Sequence, residues 1–217
     1  MELQSMPTIE EQIEEQLQAL PEYQEILKAK SAFEEQTRMM YFKLGFYTSE
    51  RNGKIKYANE IKELATNIIL RYNSTEKFDC FCFLSPKLPP KVYWELLSMA
   101  YTSSDNLFPF RRKVRKCFAA KHPYREYLMN EVERSFVAAL PDVVTIYRGM
   151  TDKESKSGKF GLSWSLDKSI AEFFRDTYLR NFSTHNEPKT LMELQIKKSE
   201  IVAYFQKREE SEIIYLG

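Results

Sequence analysis

Three short segments in the last third of the 217-residue chain carry side chains that could do chemistry. They are residues 147–149 (YRG), residues 163–165 (SWS) and residues 210–212 (ESE). Between them they offer a guanidinium that can bind an anion, hydroxyls that can orient a polar ligand, and carboxylates that can stabilise a cation or remove a proton. Such a set suits a reaction on an anionic substrate that passes through a positively charged state.

The first segment follows a β-branched and aromatic run, VVTIY at residues 143–147, which predicts a strand that ends near Arg148. An arginine at a strand end can present its two-pronged donor to a phosphate or a carboxylate. Gly149 lacks a side chain and would let a ligand approach the backbone. Taken alone, the pattern also fits a solvated arginine at the end of a strand.

The second segment places two serines on one face of a short predicted strand and Trp164 on the other face. Ser163 and Ser165 could position a polar ligand or hold a nearby carboxylate, while Trp164 packs. The chain lacks G-x-S-x-G and has no histidine close in sequence to activate a serine, so a serine hydrolase is not predicted. The structural alternative is a strand that leads into a helix capped by Asp167.

The third segment comes directly before an apolar run, IIYL at residues 213–216. If it is extended, Glu210 and Glu212 project from one face roughly 7 Å apart. One carboxylate could then stabilise a developing cation while the other removes a proton from the incoming nucleophile, as in the cleavage of a glycosidic bond. The structural alternative is a polar strand edge whose charges discourage aggregation.

All three segments belong to the part of the chain that follows Pro141, where the hydrophobic period changes to two. The pattern predicts strands at residues 143–147, 162–165, 190–196, 201–205 and 212–216. Asp167 is placed to cap a helix that runs to Tyr178, with Phe173 and Phe174 facing inward.

The first 140 residues have the periodicity of helices. The predicted helices lie at residues 9–20, 22–43, 57–72, 91–101 and 124–140. Gly45 and the pair Asn52-Gly53 mark a turn region, and residues 79–84 fit either a short buried strand or part of a helix. Helices followed by strands predict an α+β fold, with an N-terminal helical region before a strand-rich core. Without G-x-G-x-x-G or G-x-x-x-x-G-K-[ST], a Rossmann fold or a P-loop is not expected.

Charge and composition exclude several classes of function. Lys and Arg number 32 and Asp and Glu 31, so the net charge of +1 argues against a chain-wide binder of nucleic acid or membrane surfaces. No apolar run approaches the roughly 18 residues that span a membrane. The acidic N-terminus is not a targeting peptide, which predicts a cytoplasmic protein.

The three cysteines give no metal-binding pattern. Cys80 and Cys82 are far in sequence from Cys117 and from both histidines, which favours core cysteines and predicts no metal site.

The order of the three segments resembles that of the Arg-Ser-Glu class of mono-ADP-ribosyltransferases, which includes many bacterial toxins. The resemblance is carried by YRG at residues 147–149, GLSWSLDKSIAEFF at residues 161–174 and REESEIIYL at residues 208–216. The chain departs from the family in one visible place, because the middle threonine of its Ser-Thr-Ser motif is Trp164 here.

The resemblance implies a split, strand-rich fold that binds NAD as a substrate. Arg148 and Gly149 would hold NAD through its phosphates and the nearby ribose. Ser163 would orient the nicotinamide–ribose end and the catalytic glutamate, and Ser165 would support the strand.

The resemblance also implies two carboxylate roles. Glu212 would hydrogen-bond a ribose hydroxyl and stabilise the oxocarbenium ion as nicotinamide leaves, and Glu210 would act on the acceptor. Phe173, Phe174 or Tyr204 would stack near the nicotinamide, the alternative being an ordinary place in the core. This chemistry requires no metal ion.

Two macromolecules are candidate acceptors. In the family that the chain resembles, Glu-x-Glu often accompanies transfer to protein arginine. Residues 111–125, however, hold seven Lys and Arg and no acidic residue, and aromatic residues lie beside them, so RNA or DNA is an alternative acceptor. The strip can also be an ordinary solvated basic face.

Residues 1–25 hold seven Glu and no Lys or Arg. This acidic segment could dock on a partner, cap the basic strip or simply pack on the helical region.

By the same resemblance, residues 1–90 form a helical extension, residues 91–217 form the catalytic core, and the protein acts as a toxin or effector. An antitoxin or inhibitor should then exist. Hydrolysis of NAD without an acceptor and a catalytically inactive interaction module are the alternatives. The enzyme hypothesis requires Arg148, Ser163 and Glu212 to converge on one cleft.

Overall fold

The computed structural model describes residues 20–177, 187–206 and 210–217, so the predicted helix at residues 9–20 lies outside the described residues. The α-helices in these ranges are α1 (Pro21–Ser49), α2 (Gly53–Lys56), α3 (Ala58–Leu70), α4 (Lys77–Leu84), α5 (Pro90–Thr102), α6 (Arg111–Phe118), α7 (Glu131–Ala139), α8 (Asp152–Ser157) and α9 (Lys168–Asp176). The strands are β1 (Val143–Thr151), β2 (Ser163–Ser165), β3 (Lys189–Lys197), β4 (Ile201–Phe205) and β5 (Glu212–Tyr215). The expected α+β class, with helices first and strands after, is confirmed.

In the helical region, α1 to α7, helices α1, α3 and α5 correspond to the helices predicted at residues 22–43, 57–72 and 91–101, and α2 and α6 are not among the predicted helices. Helix α1 continues to Ser49, so Gly45 lies inside it and does not mark a turn. The chain turns at the predicted pair Asn52-Gly53: Asn52 has a φ of 60°, and a Cβ at Gly53 would clash with the Tyr47 carbonyl oxygen. Residues 79–84, which the sequence left open between strand and helix, belong to α4 and bury Phe81 and Leu84.

The single helix predicted at residues 124–140 is wrong, because the chain breaks at Asn130. The Asn130 side chain accepts from the Glu133 backbone N–H at 2.9 Å, and the Glu133 carboxylate accepts from the Asn130 N–H at 2.8 Å. This reciprocal cap starts α7 at Glu131, and the preceding residues Arg125–Leu128 form one 3₁₀ turn. A side chain that satisfies the first N–H groups of a helix favours a new start over continuation.

The strands form one antiparallel sheet in the order β3-β1-β2-β5-β4. Strand β1 is longer than predicted, because its residues remain paired with β3 up to Thr151, which lies opposite Lys189. Arg148 is therefore inside the strand and not at its end, opposite Met192.

Each face of the sheet covers a separate buried cluster. Trp94 and Phe118 of the helical region pack with Phe205 and Ile214 of the sheet in the first cluster. The second cluster lies on the opposite face and includes Trp164. The first cluster contains residues from both sides of the predicted boundary at residue 90. Among the residues described, no helix has the length and apolar character of a membrane span.

Candidate functional site

The sheet register brings the three chemical segments together. Ser165 on β2 lies opposite Glu212 on β5, and Ser163 lies opposite Ile214. On its other side, Ser165 lies opposite Tyr147 of β1, the residue next to Arg148. Because directly opposite residues in antiparallel strands project from the same face, Ser165 and Glu212 share a face of the sheet.

The Glu212 carboxylate is held by a residue from the helical region. The Tyr101 hydroxyl, on α5, donates to Glu212 Oε1 at 2.6 Å. Burial, followed by the charge and hydrogen bond of Glu212, raises the pKa of Tyr101 well above its ordinary value. The hydroxyl therefore keeps its proton at neutral pH and acts as the donor.

The Arg148 guanidinium makes two hydrogen bonds within the protein. Its Nη1 donates to the Ser163 carbonyl oxygen at 2.7 Å, and its Nε donates to Glu154 Oε1 at 2.9 Å. The Gly161 backbone N–H donates to the same Glu154 oxygen at 2.8 Å. A Cβ at Gly161 would clash with Arg148 Nη2, so an added side chain would displace the guanidinium from its present position.

Sequence reasoning missed both Tyr101 and Glu154. Tyr101 lies more than 60 positions before Ser163, and one tyrosine in a helix gives no local signal. Glu154 had a usable signal, because it follows Thr151 at the spacing of a helix cap. The Thr151 hydroxyl indeed accepts from the Glu154 N–H at 3.1 Å, which starts α8 and turns the Glu154 carboxylate toward Arg148.

Gly149 has a different role from the one that the sequence predicted. A Cβ there would lie 2.4 Å from the Ala171 carbonyl oxygen and 2.6 Å from the Arg175 nitrogen, both on α9. The glycine therefore lets a helix approach β1, and the space beside its backbone is filled by that helix instead of being open to a ligand.

The two glutamates of the third segment do not lie on one extended strand, which corrects the expected geometry. Ser211 has a φ of 44°, in the left-handed region, and β5 begins only at Glu212. The alternation that would put Glu210 and Glu212 on one face is therefore broken. The Ser165 hydroxyl donates to the Glu210 carbonyl oxygen at 2.9 Å and accepts from the Asp167 N–H at 3.0 Å, so it ties β2 to this turn.

The predicted aromatic partners contact other aromatic rings. Asp167 caps α9 as predicted, accepting from the Ser169 N–H at 2.8 Å. The half-buried Phe174 ring contacts the Phe173 ring edge-on, with centroids 5.8 Å apart. Phe173 is 48% exposed, so its predicted inward orientation is wrong. Tyr204 is buried in the second cluster and stacks on the exposed Phe136, with ring centroids 4.3 Å apart.

The structure thus groups a guanidinium, a serine pair and a carboxylate held by Tyr101 on three adjacent strands. Over residues 20–177, 187–206 and 210–217, no three His, Cys, Asp or Glu side chains are placed to share a metal ion. Two shallow hollows lie elsewhere, both on the helical region. The residues that line one of them include Asn59 and Lys62, and those that line the other include Phe33 and Met40. Neither contains a comparable set of groups.

No protein-family model matches the chain, and searches of curated proteins and of solved structures find no match either.

Proposed function

We propose that the protein is a mono-ADP-ribosyltransferase that cleaves the bond between nicotinamide and ribose in NAD and transfers ADP-ribose to a macromolecule. One observation carries the proposal. Arg148, Ser163 and Glu212 are dispersed over 65 positions of the chain and yet lie on neighbouring strands, with Arg148 bonded to the Ser163 carbonyl and Tyr101 bonded to Glu212. The interaction-module hypothesis gives these residues no reason to meet.

The reaction separates the C–N bond so that its electron pair leaves with nicotinamide and the ribose becomes an oxocarbenium-like cation. A carboxylate held in place beforehand stabilises that charge without having to reorganise, which is the role proposed for Glu212. An acceptor nucleophile then adds to the ribose carbon and loses its proton. Glu210, at the turn before β5, is the residue proposed to act on the acceptor.

Arg148 is the proposed phosphate ligand of NAD. Its Nε donor is engaged by the Glu154 carboxylate, with which a phosphate would compete for the guanidinium. Ser163 is the proposed guide for the nicotinamide–ribose end, and Ser165 supports the turn that precedes Glu212. Phe174 is the proposed aromatic neighbour of the nicotinamide.

The proposed acceptor is protein arginine, following the Glu-x-Glu resemblance. A specific observation also favours RNA or DNA as a second candidate. Arg112, Lys116 and Lys121 are exposed on and just after α6. Arg115 of the same helix donates to the carbonyl oxygens of Phe160 and Leu216, so this basic surface adjoins the loop and strand that hold Arg148 and Glu212. Exposed cations of this kind attract phosphate backbones.

We further propose a toxin or effector role in the cytoplasm, with an antitoxin or inhibitor as partner. Cys80, Cys82 and Cys117 are free thiols, which is typical of proteins in a reducing compartment. The proposal of a partner rests on the resemblance to toxins alone.

The test is nicotinamide release from NAD by the wild type, by Glu212→Gln and by Glu193→Gln as a matched control on the exposed face of β3. We expect Glu212→Gln to lose about a hundredfold or more in rate, because the amide removes the charge that stabilises the cation, and Glu193→Gln to keep it. Labelled NAD in cell lysate then separates the acceptors, because the label is sensitive to protease for protein and to nuclease for nucleic acid.

Release without labelling would indicate an NAD hydrolase. A folded wild type that releases no nicotinamide, with or without lysate, would contradict the transferase and favour the inactive interaction module.

A further inference from the structure

Tyr101 is the residue whose placement is least expected from the sequence. It belongs to α5 of the helical region and to none of the three segments on the sheet. Its ring meets Phe118 edge-on at 5.0 Å on one side and Phe205 at 5.7 Å on another. Phe205 is the β4 residue directly opposite Glu212. The ring is thus fixed by neighbours from α6 and β4, and its hydroxyl is fixed with it.

The fixed hydroxyl reaches one oxygen of one carboxylate. It donates to Glu212 Oε1 at 2.6 Å, a short distance that is typical of a hydroxyl bonded to a charged oxygen. A glutamate has three rotatable side-chain bonds, so the backbone of β5 alone does not determine where its carboxylate lies. The hydrogen bond from Tyr101 supplies a constraint from outside the sheet.

We infer that Tyr101 is a positioning residue, which acts through Glu212 to hold the carboxylate where the cation develops. The inference rests on the proposed NAD chemistry. A carboxylate stabilises a transition state only if it already lies at the right place, since reorganising it during the reaction costs part of the benefit. The helical region would then contribute to catalysis by supplying this contact.

The test compares Tyr101→Phe with Tyr93→Phe in nicotinamide release by the full chain. Tyr93 lies on the same helix, is also buried, and donates its hydroxyl to the Cys117 carbonyl oxygen at 3.0 Å, so it is a matched control. We expect Tyr101→Phe to lower kcat about tenfold to a hundredfold, the effect of losing a hydrogen bond to a charged group. KM for NAD should stay within about twofold, because the hydroxyl contacts Glu212. Tyr93→Phe should leave both constants unchanged.

A second measurement does not require activity. Urea unfolding of Tyr101→Phe, Glu212→Gln and the double variant forms a double-mutant cycle. We expect the double variant to lose less stability than the sum of the single losses, because Tyr101→Phe removes the donor and Glu212→Gln removes the charge that strengthens the same hydrogen bond. Additive losses would overturn the contact.

The outcomes separate the two proposals. A wild type that releases no nicotinamide overturns the proposed function and, with it, the role of Tyr101 in that reaction. An active wild type with kcat unchanged in Tyr101→Phe, or with only KM changed, overturns the positioning role and leaves the proposed function standing.

Discussion

At the residue scale, the Arg148 guanidinium depends on the absence of a side chain at Gly161. The Gly161 backbone N–H donates to the Glu154 carboxylate. A Cβ on Gly161 would lie 2.6 Å from Arg148 Cζ, so the guanidinium occupies the space that a side chain would need. Arginine is flexible and can move away from an added methyl group, so the fold should tolerate one. The present orientation of the guanidinium would be lost, because its donors are aligned by their bonds to the Ser163 carbonyl and the Glu154 carboxylate.

We therefore expect Gly161→Ala to raise KM for NAD on the order of tenfold with little change in unfolding temperature. Steady-state kinetics of nicotinamide release and a thermal melt measure the two quantities. Gly45→Ala is the control, since an added Cβ meets nothing within 4 Å there and alanine is favoured in a helix. An unchanged KM in Gly161→Ala would mean that Arg148 does not bind the substrate.

At the scale of elements, Asn130 decides where α7 begins. Its side chain bonds the Glu133 N–H, and the buried Glu133 carboxylate bonds both the Asn130 N–H and, at 3.3 Å, the Gln206 N–H after β4. One cap therefore starts a helix and connects it to the sheet. Apolar periodicity predicted a continuous helix here, because Tyr124, Leu128 and Val132 keep a spacing of four through the break. Periodicity reports which residues could share a face, and a cap reports where the chain turns.

We expect Asn130→Ala to lower the free energy of unfolding by about 1 kcal/mol, as is usual for loss of a helix cap. Urea denaturation followed by circular dichroism measures the change. Asn67→Ala, on the exposed side of α3, should be neutral or slightly stabilising because alanine is the better helix former. Equal effects of the two substitutions would show that the cap contributes nothing.

In the candidate site, too, the sequence predicts some features and gives no signal for others. Arg148, Ser163 and Glu212 become candidates from the order of their segments, which resembles that of a known family, because residue type and order can be read from the sequence. The left-handed φ of Ser211 could not be predicted, because no glycine or asparagine marks it. Tyr101 could not either, since its contact with Glu212 joins residues 111 positions apart, and such a pairing depends on how the helices pack on the sheet.

At the scale of the whole molecule, the sheet connects the two buried clusters. Neighbouring residues on β5 point to opposite faces, so Ile214 lies in the cluster beneath the helical region and Ile213 lies in the other cluster. The chain has two tryptophans, and each cluster contains one: Trp94 in the first and Trp164 in the second. Because the strands belong to both clusters, loss of either should expose the other to water.

The tryptophans therefore allow a direct test of cooperativity. We expect Trp94→Phe and Trp164→Phe, each retaining one fluorescent reporter, to show fluorescence transitions in urea that coincide with loss of helical circular dichroism in the same variant. Each substitution shifts stability, so the comparison is between the two probes within one variant. Separate midpoints in either variant would show that the helical region unfolds apart from the sheet. The Tyr101–Glu212 contact spans these two parts, so coincident transitions would mean that the candidate site is stabilised by the whole fold.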